Sequence, residues 1–213
     1  MKNKSNMTLN GLTLAFILLS IFIATLALAD ANNEPDKQVK VAFGTIEQEI
    51  IQLKSRNEFN NTQIKKILNQ HLLPEINTRY FALKSLGKYA KDMSEEMKLS
   101  YIQALQIQLI NSYANLLSNY NNEKIVFNKN SISESGKIAQ VYLNIESRNK
   151  TNTAVIKLMK ITDDDWKIFD IVIEGISLVQ TKQAELSSSI TKVGLVGTLE
   201  KLQTINAKIE STQ

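Results

Sequence analysis

The spacing of apolar residues changes twice along this sequence of 213 residues, at residue 124 and again near residue 176. Before residue 124, apolar residues recur every three or four positions, the repeat of a helix with one buried face. Between residues 124 and 174 they alternate with polar residues, which is typical of half-buried strands. Helices, then consecutive strands, then helices predict an α+β domain with its helices on one side of a four-stranded antiparallel sheet.

Four helices are predicted before residue 124. Asn61 or Thr62 caps the second of them, and Pro74 ends it and starts a third helix. Ser94 caps the fourth and longest helix, because a serine hydroxyl accepts a hydrogen bond from the free amides of a first turn. The predicted apolar faces consist of Val39, Phe43, Ile46, Ile50 and Leu53; of Ile64, Ile67, Leu68 and Leu72; of Ile76, Tyr80 and Leu83; and of Met97, Tyr101, Leu105, Leu109, Tyr113, Leu116 and Tyr120.

The four predicted strands span residues 124–127, 138–145, 153–161 and 166–174. Three consecutive aspartates at residues 163–165 form a polar turn, which joins the last two strands as a hairpin. Alternation places Phe169, Ile171 and Ile173 on one face of the fourth strand, and Trp166, Ile168 and Val172 on the other. From residue 176 the helical repeat returns and is broken at Gly194 and Gly197.

The first 29 residues have the three parts of a cleavable secretory signal peptide. Lys2 and Lys4 precede an apolar stretch over residues 12–28, and Ala27 and Ala29 supply the small residues before a cut ahead of Asp30. An uncleaved membrane anchor is the alternative, since the stretch approaches the ~18–20 residues of a spanning helix. We therefore predict a signal peptide over residues 1–29 and a single exported domain over residues 30–213.

Composition excludes several classes of function. The net charge is +4, and about +2 once the two signal lysines are removed, with charges mixed along the chain, so no nucleic-acid partner is expected. Cysteine is absent and His71 is the one histidine, so the chain lacks the residues for thiol chemistry or a typical zinc site. A catalytic triad is not expected either, because no nucleophile motif accompanies His71. Glu174 leaves one catalytic alternative open, a general base in an NTF2-like enzyme acting on a small hydrophobic substrate.

Two stretches, residues 72–89 and 166–183, carry a family resemblance. The second contains Trp166, Asp170, Glu174, Gly175 and Ser177 in the pattern W-x-x-x-D-x-x-x-E-G-x-S. Together they resemble the MlaC family of periplasmic phospholipid-binding proteins, over essentially all of residues 35–205. The resemblance implies an NTF2/cystatin-like fold and a carrier without enzymatic activity, cofactor or metal, whose cargo is a glycerophospholipid.

The resemblance also implies partners and a compartment. Such a carrier moves glycerophospholipids through the periplasm between an outer-membrane lipoprotein–porin complex and an inner-membrane MCE-domain ABC transporter complex, and so maintains outer-membrane lipid asymmetry. An interaction module without a ligand is the remaining alternative, because an ordinary filled core requires the same apolar faces.

A carrier must shield acyl tails from water, since exposing ~16 methylenes costs on the order of 10 kcal/mol. We expect the tails to lie between the sheet and the longest helix, with tyrosines near the headgroup. No catalytic residues are predicted. The predicted acyl-chain cleft consists of Leu73, Ile76, Tyr80, Leu83, Tyr101, Leu105, Leu109, Tyr113, Val141, Leu143, Phe169, Ile171, Ile173 and Ile176.

Overall fold

The computed structural model describes residues 35–163 and 165–211. The predicted signal peptide and the cleavage point after Ala29 lie outside these residues. The described part contains five helices: α1 (Pro35–Ser55), α2 (Asn61–Ile67), α3 (Thr78–Leu86), α4 (Glu95–Ser118) and α5 (Leu178–Ser211). A π-helical turn (Leu68–Leu72) and a 3-10 turn (Leu73–Glu75) follow α2, and a second 3-10 segment (Gly87–Asp92) follows α3. Among these described residues, no helix is both long and apolar enough to cross a bilayer.

The sheet is an antiparallel meander, which confirms the predicted α+β class. Its strands lie in chain order: β1 (Lys124–Ile132), β2 (Ile138–Glu146), β3 (Thr151–Thr162), β4 (Asp165–Ile173) and β5 (Ile176–Ser177). The prediction of four strands was wrong by one. Positive φ angles at Glu174 and Gly175 reverse the chain, so Ile176 and Ser177 pair with the end of β4 before α5 begins.

A β-bulge changes the predicted faces of β4. Asp170 pairs with Lys157 and Ile168 with Leu158, so Phe169 is an extra residue in the ladder. An extra residue shifts the alternation of side chains by one position. Ile168 and Ile171 therefore lie on the same face of the sheet, not on opposite faces as predicted.

The predicted helix caps are partly correct. Ser94 caps α4 and accepts a hydrogen bond from the Met97 amide at 3.2 Å, as expected. Asn60, and not Asn61 or Thr62, caps α2. Pro74 does not start α3, which begins at Thr78 with Asn77 as its cap.

Ile76 consequently lies outside α3, in extended backbone, where it bridges Ile168 of β4. The different start also changes the buried face of α3. That face is Phe81, Ala82, Ser85 and Leu86, whereas Tyr80 and Leu83 are only half-buried.

Helix α4 takes part in two separate apolar cores. Its second half packs with α1, the π-helical turn and the sheet, where Ile110 and Ala114 are buried. Its first half packs with α3 and α5, where Tyr101 and Leu105 are buried beside Leu186. The single apolar face predicted for α4 is therefore divided between two different neighbours.

Gly194 interrupts α5 with φ 72° and ψ 178°, which glycine adopts without the penalty of a Cβ. Directly after the interruption, the Leu195 carbonyl accepts a hydrogen bond from the Tyr101 hydroxyl at 2.6 Å. Gly197 remains inside the helix, so the predicted break is confirmed at the first of the two glycines only.

The buried Tyr101 hydroxyl predicts a loss of stability at alkaline pH. Burial raises the pKa of Tyr101 to about 12, above the value of about 10 in an unfolded chain. The folded state therefore keeps its proton where the unfolded state loses it, so stability is complete below pH ~10 and falls as the pH rises towards ~12. We expect Tyr101→Phe to make this fall less steep, measured as the free energy of unfolding against pH; part of the fall remains, because the pKa values of Tyr113 and Tyr120 are also raised.

Tyr89→Phe is the matched control for this experiment. A hydrogen bond to Thr191 lowers the pKa of Tyr89, so this tyrosine does not contribute to the loss above pH ~10. An identical alkaline slope in Tyr101→Phe and the unchanged protein would contradict the prediction.

Candidate ligand-binding cavity

An apolar cavity of about 190 Å³ lies between the sheet and the helices α1 and α4. A cavity needs about 10–15 Å³ to hold one water molecule, so this space is far larger than a packing defect. Its walls are Phe43, Ile46, Glu47 and Ile50 of α1; Leu68 and Leu72 of the π-helical turn; Tyr113, Leu116, Leu117 and Tyr120 at the end of α4; and Ile125, Leu143, Ile145, Ala154, Ile156, Ile171 and Ile173 of the sheet. Such a lining favours an apolar ligand over ordered water.

Helical spacing explains how α1 and the π-helical turn reach the cavity. Ile46 and Ile50 are four residues apart on α1 and are both buried, so they share the face towards the sheet. Leu68 and Leu72 have the same spacing and are also buried. A π-helical turn is rare and is often found at functional sites.

The polar atoms of the lining are concentrated where α1 meets the end of α4. The Tyr120 hydroxyl donates to Glu47 at 3.1 Å, and the Lys54 ammonium donates to the Tyr120 carbonyl at 2.6 Å. Leu116 lines the cavity and is nevertheless 63% exposed, so the cavity reaches the surface on this side. Burial, and to a lesser degree the Glu47 carboxylate, raises the pKa of Tyr120 to about 12, so its hydroxyl remains a donor at neutral pH.

Tyr113 places a polar atom deep within the cavity wall. Its hydroxyl is buried and has no hydrogen-bond partner among the described residues. Burial is the main reason that the pKa of Tyr113 is raised, and the nearby Asp170 carboxylate adds to it. The hydroxyl is therefore a neutral donor that packing alone holds in place.

Four of the fourteen residues predicted for the acyl-chain cleft line this cavity: Tyr113, Leu143, Ile171 and Ile173. Three others, Leu73, Ile76 and Leu109, belong to the same core without lining the cavity, as does the fully buried Val141. The structure does not bring the remaining six to the cavity. Tyr80, Leu83 and Phe169 line a separate polar pocket, Tyr101 and Leu105 lie in the second core, and Ile176 is 64% exposed.

The cleft prediction omitted the residues of α1, the π-helical turn and β1. The sequence predicts that Phe43, Ile46 and Ile50 share an apolar face, but it does not show that this face lies opposite the sheet. Ile125 is the second residue of the strand predicted to be short, and β1 in fact continues to Ile132. The sequence feature that could have identified the α1 residues is the helical repeat of this segment. The repeat indicates a buried face, but it does not show which element packs against that face.

The residues considered for catalysis are not part of the cavity lining. Glu174 is exposed in the turn after β4, where it accepts hydrogen bonds from the Thr153 amide and hydroxyl. These hydrogen bonds lower the pKa of Glu174, the opposite of what a general base needs at neutral pH. His71 forms a polar contact with Glu49 at 2.9 Å, which links the π-helical turn to α1. Over residues 35–163 and 165–211, no cluster of acidic or histidine side chains has the geometry to hold a metal ion.

Fold and cavity together define a class: an α+β protein that holds an apolar space between a meander sheet and its helices. The family model described as "MlaC protein" matches residues 44–204 of the chain. The chain belongs to the MlaC family, which confirms the resemblance carried by the W-x-x-x-D-x-x-x-E-G-x-S pattern.

A curated protein and a solved structure are both similar to this chain. The intermembrane phospholipid transport system binding protein MlaC of Haemophilus influenzae is 23% identical over 193 residues, which cover 89% of each chain. The structure of a phospholipid-binding protein from Ralstonia solanacearum, in complex with a phospholipid, superposes with a TM-score of 0.73. That match covers 82% of this chain and 97% of the other at 19% identity, and it confirms the fold.

Proposed function

We propose that this protein binds a glycerophospholipid with its acyl tails in the apolar cavity and carries it between two membranes. The observation that carries the proposal is the cavity of about 190 Å³, in which Glu47 is the one charged side chain of the described lining. Membership of the MlaC family and the phospholipid in the Ralstonia solanacearum structure support the same cargo.

The energetics of transfer fit such a cavity. The transfer of each methylene out of water is favourable by roughly 0.8 kcal/mol of free energy. An apolar lining is therefore sufficient to hold a tail without any specific polar contact. The headgroup is then left at the surface near Leu116 and Tyr120, where water solvates its charge. A tyrosine suits this boundary, because its ring is apolar and its hydroxyl is polar.

The same proposal includes the partners and the compartment. The protein works in the periplasm, exchanging lipid with an outer-membrane lipoprotein–porin complex and an inner-membrane MCE-domain ABC transporter complex, and so maintains outer-membrane lipid asymmetry. It acts as a carrier and not as an enzyme, with phospholipid as cargo and no cofactor. The transport-system name of the Haemophilus influenzae relative supports this role.

Native mass spectrometry of the protein purified from a bacterial host tests the cargo directly. We expect a mass increase equal to a phospholipid, and loss of that mass after extraction with organic solvent. The extracted protein should take up lipid again from phospholipid vesicles. A protein that never acquires lipid from the host or from vesicles would refute the carrier and favour an interaction module without a ligand.

Export predicts a defined N-terminus for the working protein. A carrier that exchanges lipid with two membranes cannot stay attached to one of them, so we expect the signal peptide to be removed after Ala29. Intact-mass measurement of the exported protein should give a chain that begins at Asp30. A chain that keeps residues 1–29 would support the membrane-anchored alternative.

A further inference from the structure

Two aromatic side chains separate the apolar cavity from a second pocket on the far side of β4. Tyr113 and Ile171 line both the cavity and a small void of about 10 Å³. Phe169 and Asp170 line both that void and an open pocket of about 430 Å³. The three spaces therefore follow one another, with Tyr113 at the first junction and Phe169 at the second.

We propose that Tyr113 and Phe169 form the inner end of the acyl cavity and set the longest tail that it accepts. This inference rests on the proposed function, since it assumes that the cavity holds acyl tails. The void between the two rings has room for about one water molecule, which is too little for a tail to pass. A longer tail can be accommodated only if one of the rings moves or is removed.

The chemistry beyond Phe169 explains why an apolar tail stops there. The pocket on the far side contains Lys84, Asp170, Gln180 and Gln183. Methylenes that passed Phe169 would meet these charged and amide groups beside Leu83 and Val179, and not an entirely aliphatic wall. The apolar path thus ends where β4 contributes its bulge residue.

The local structure fixes the two rings to different degrees. Phe169 is the extra residue of the bulge, and its ring meets the Tyr80 ring edge to face, with centroids 5.4 Å apart. Tyr113 has a buried hydroxyl without a partner among the described residues, so no hydrogen bond given by the structure holds its ring. Phe169 is therefore the better fixed stop, and Tyr113 is the first ring that a tail from the cavity contacts.

Competition between two tail lengths tests the inference. Delipidated protein is mixed with vesicles that contain equal amounts of dipalmitoleoyl- and dioleoyl-phosphatidylglycerol, and native mass spectrometry measures the ratio of the two lipids bound. We expect Tyr113→Ala to raise the proportion of the longer lipid, by up to about fourfold for each extra methylene that finds apolar space. Phe169→Ala should raise it less, because Tyr113 still lies between the cavity and the void. Tyr113→Phe is the matched control, because it removes the hydroxyl and keeps the ring, and its ratio should equal that of the unchanged protein.

The possible results separate this inference from the proposed function. If the unchanged protein takes up neither lipid, the carrier proposal fails and this inference fails with it. If lipid is bound but both alanine variants keep the original ratio, the carrier stands and the inner end lies elsewhere. Should either alanine variant not fold, Phe169→Leu provides the same comparison with a smaller change of volume.

Discussion

Ile171→Asp should reduce phospholipid loading by about tenfold or more, because burying an unpaired carboxylate costs several kcal/mol and each 1.4 kcal/mol is a factor of ten. Ile171 lies on the cavity wall, and Glu47, the one charged side chain of the described lining, is also an anion. A carboxylate at position 171 would thus have no cation beside it in the lining. Lipid bound per protein after incubation with vesicles, measured by phosphorus content, checks this expectation.

Ile176→Asp is the matched control for that variant. Ile176 lies five residues further along the chain, is also an isoleucine, and was predicted from the sequence to line the cleft, yet it is 64% exposed in β5. We expect its substitution to leave loading unchanged. If both variants load as the unchanged protein does, while circular dichroism shows that both are folded, then Ile171 does not face the ligand.

Leu105→Asp separates loading from folding. Leu105 was predicted for the cleft, but it is buried with Tyr101 and Leu186 in the second core, away from the cavity. Its replacement should therefore lower the stability of the whole domain, and any loss of loading should follow the fraction of protein that is unfolded. The comparison with Ile171→Asp distinguishes a cavity residue from a core residue.

Helix α4 shows which features of this site can be predicted from the sequence and which cannot. Its apolar repeat correctly predicted a long helix, and the serine before it correctly predicted the cap at Ser94. Both features depend on local geometry. The repeat indicated one buried face but not that Tyr101 would meet α5 while Tyr113 would meet the sheet. Which neighbour covers a face depends on tertiary packing, which spacing alone does not encode.

The β4 strand shows a second limit of the same kind. Its alternation predicted a strand and correctly placed Ile171 and Ile173 together on one face. The bulge at Phe169 was not predicted, because a single extra residue in an apolar strand produces no recognisable sequence pattern. Phe169 was therefore assigned to the cleft, whereas the structure places it between the small void and the polar pocket.

Asp170→Ala should destabilise the fold, because Asp170 is the buried carboxylate of the W-x-x-x-D-x-x-x-E-G-x-S pattern. Asp170 is 6% exposed, and its carboxylate accepts hydrogen bonds from the Ser177 hydroxyl at 3.0 and 2.9 Å and from the Val179 amide at 3.2 Å. It also pairs with Lys157 at 3.4 Å. Since Ser177 in turn caps the Gln180 amide, Asp170 ties the first turn of α5 to the sheet.

We expect Asp170→Ala to lower the free energy of unfolding by about 3 kcal/mol, because it removes hydrogen bonds to a charge and leaves buried donors unpaired. For a domain of this size that corresponds to a Tm lower by roughly 6–12 °C. The measurement is urea or thermal unfolding of lipid-free protein, since bound lipid would add its own stabilisation. Asp170→Asn should lose less, because its amide oxygen can still accept from Val179.

Asp163→Ala is the control, because it removes an aspartate that does not contribute to this network. Asp163 is 96% exposed and pairs with Lys160 on the surface at 3.1 Å, so its loss should change stability by less than about 0.5 kcal/mol. Equal destabilisation by the two alanine variants would show that Asp170 acts only as a surface charge. A large loss at Asp170 with little at Asp163 would mean that the aspartate of the family pattern supports the fold. The cavity lining itself consists of residues outside the fixed positions of the pattern.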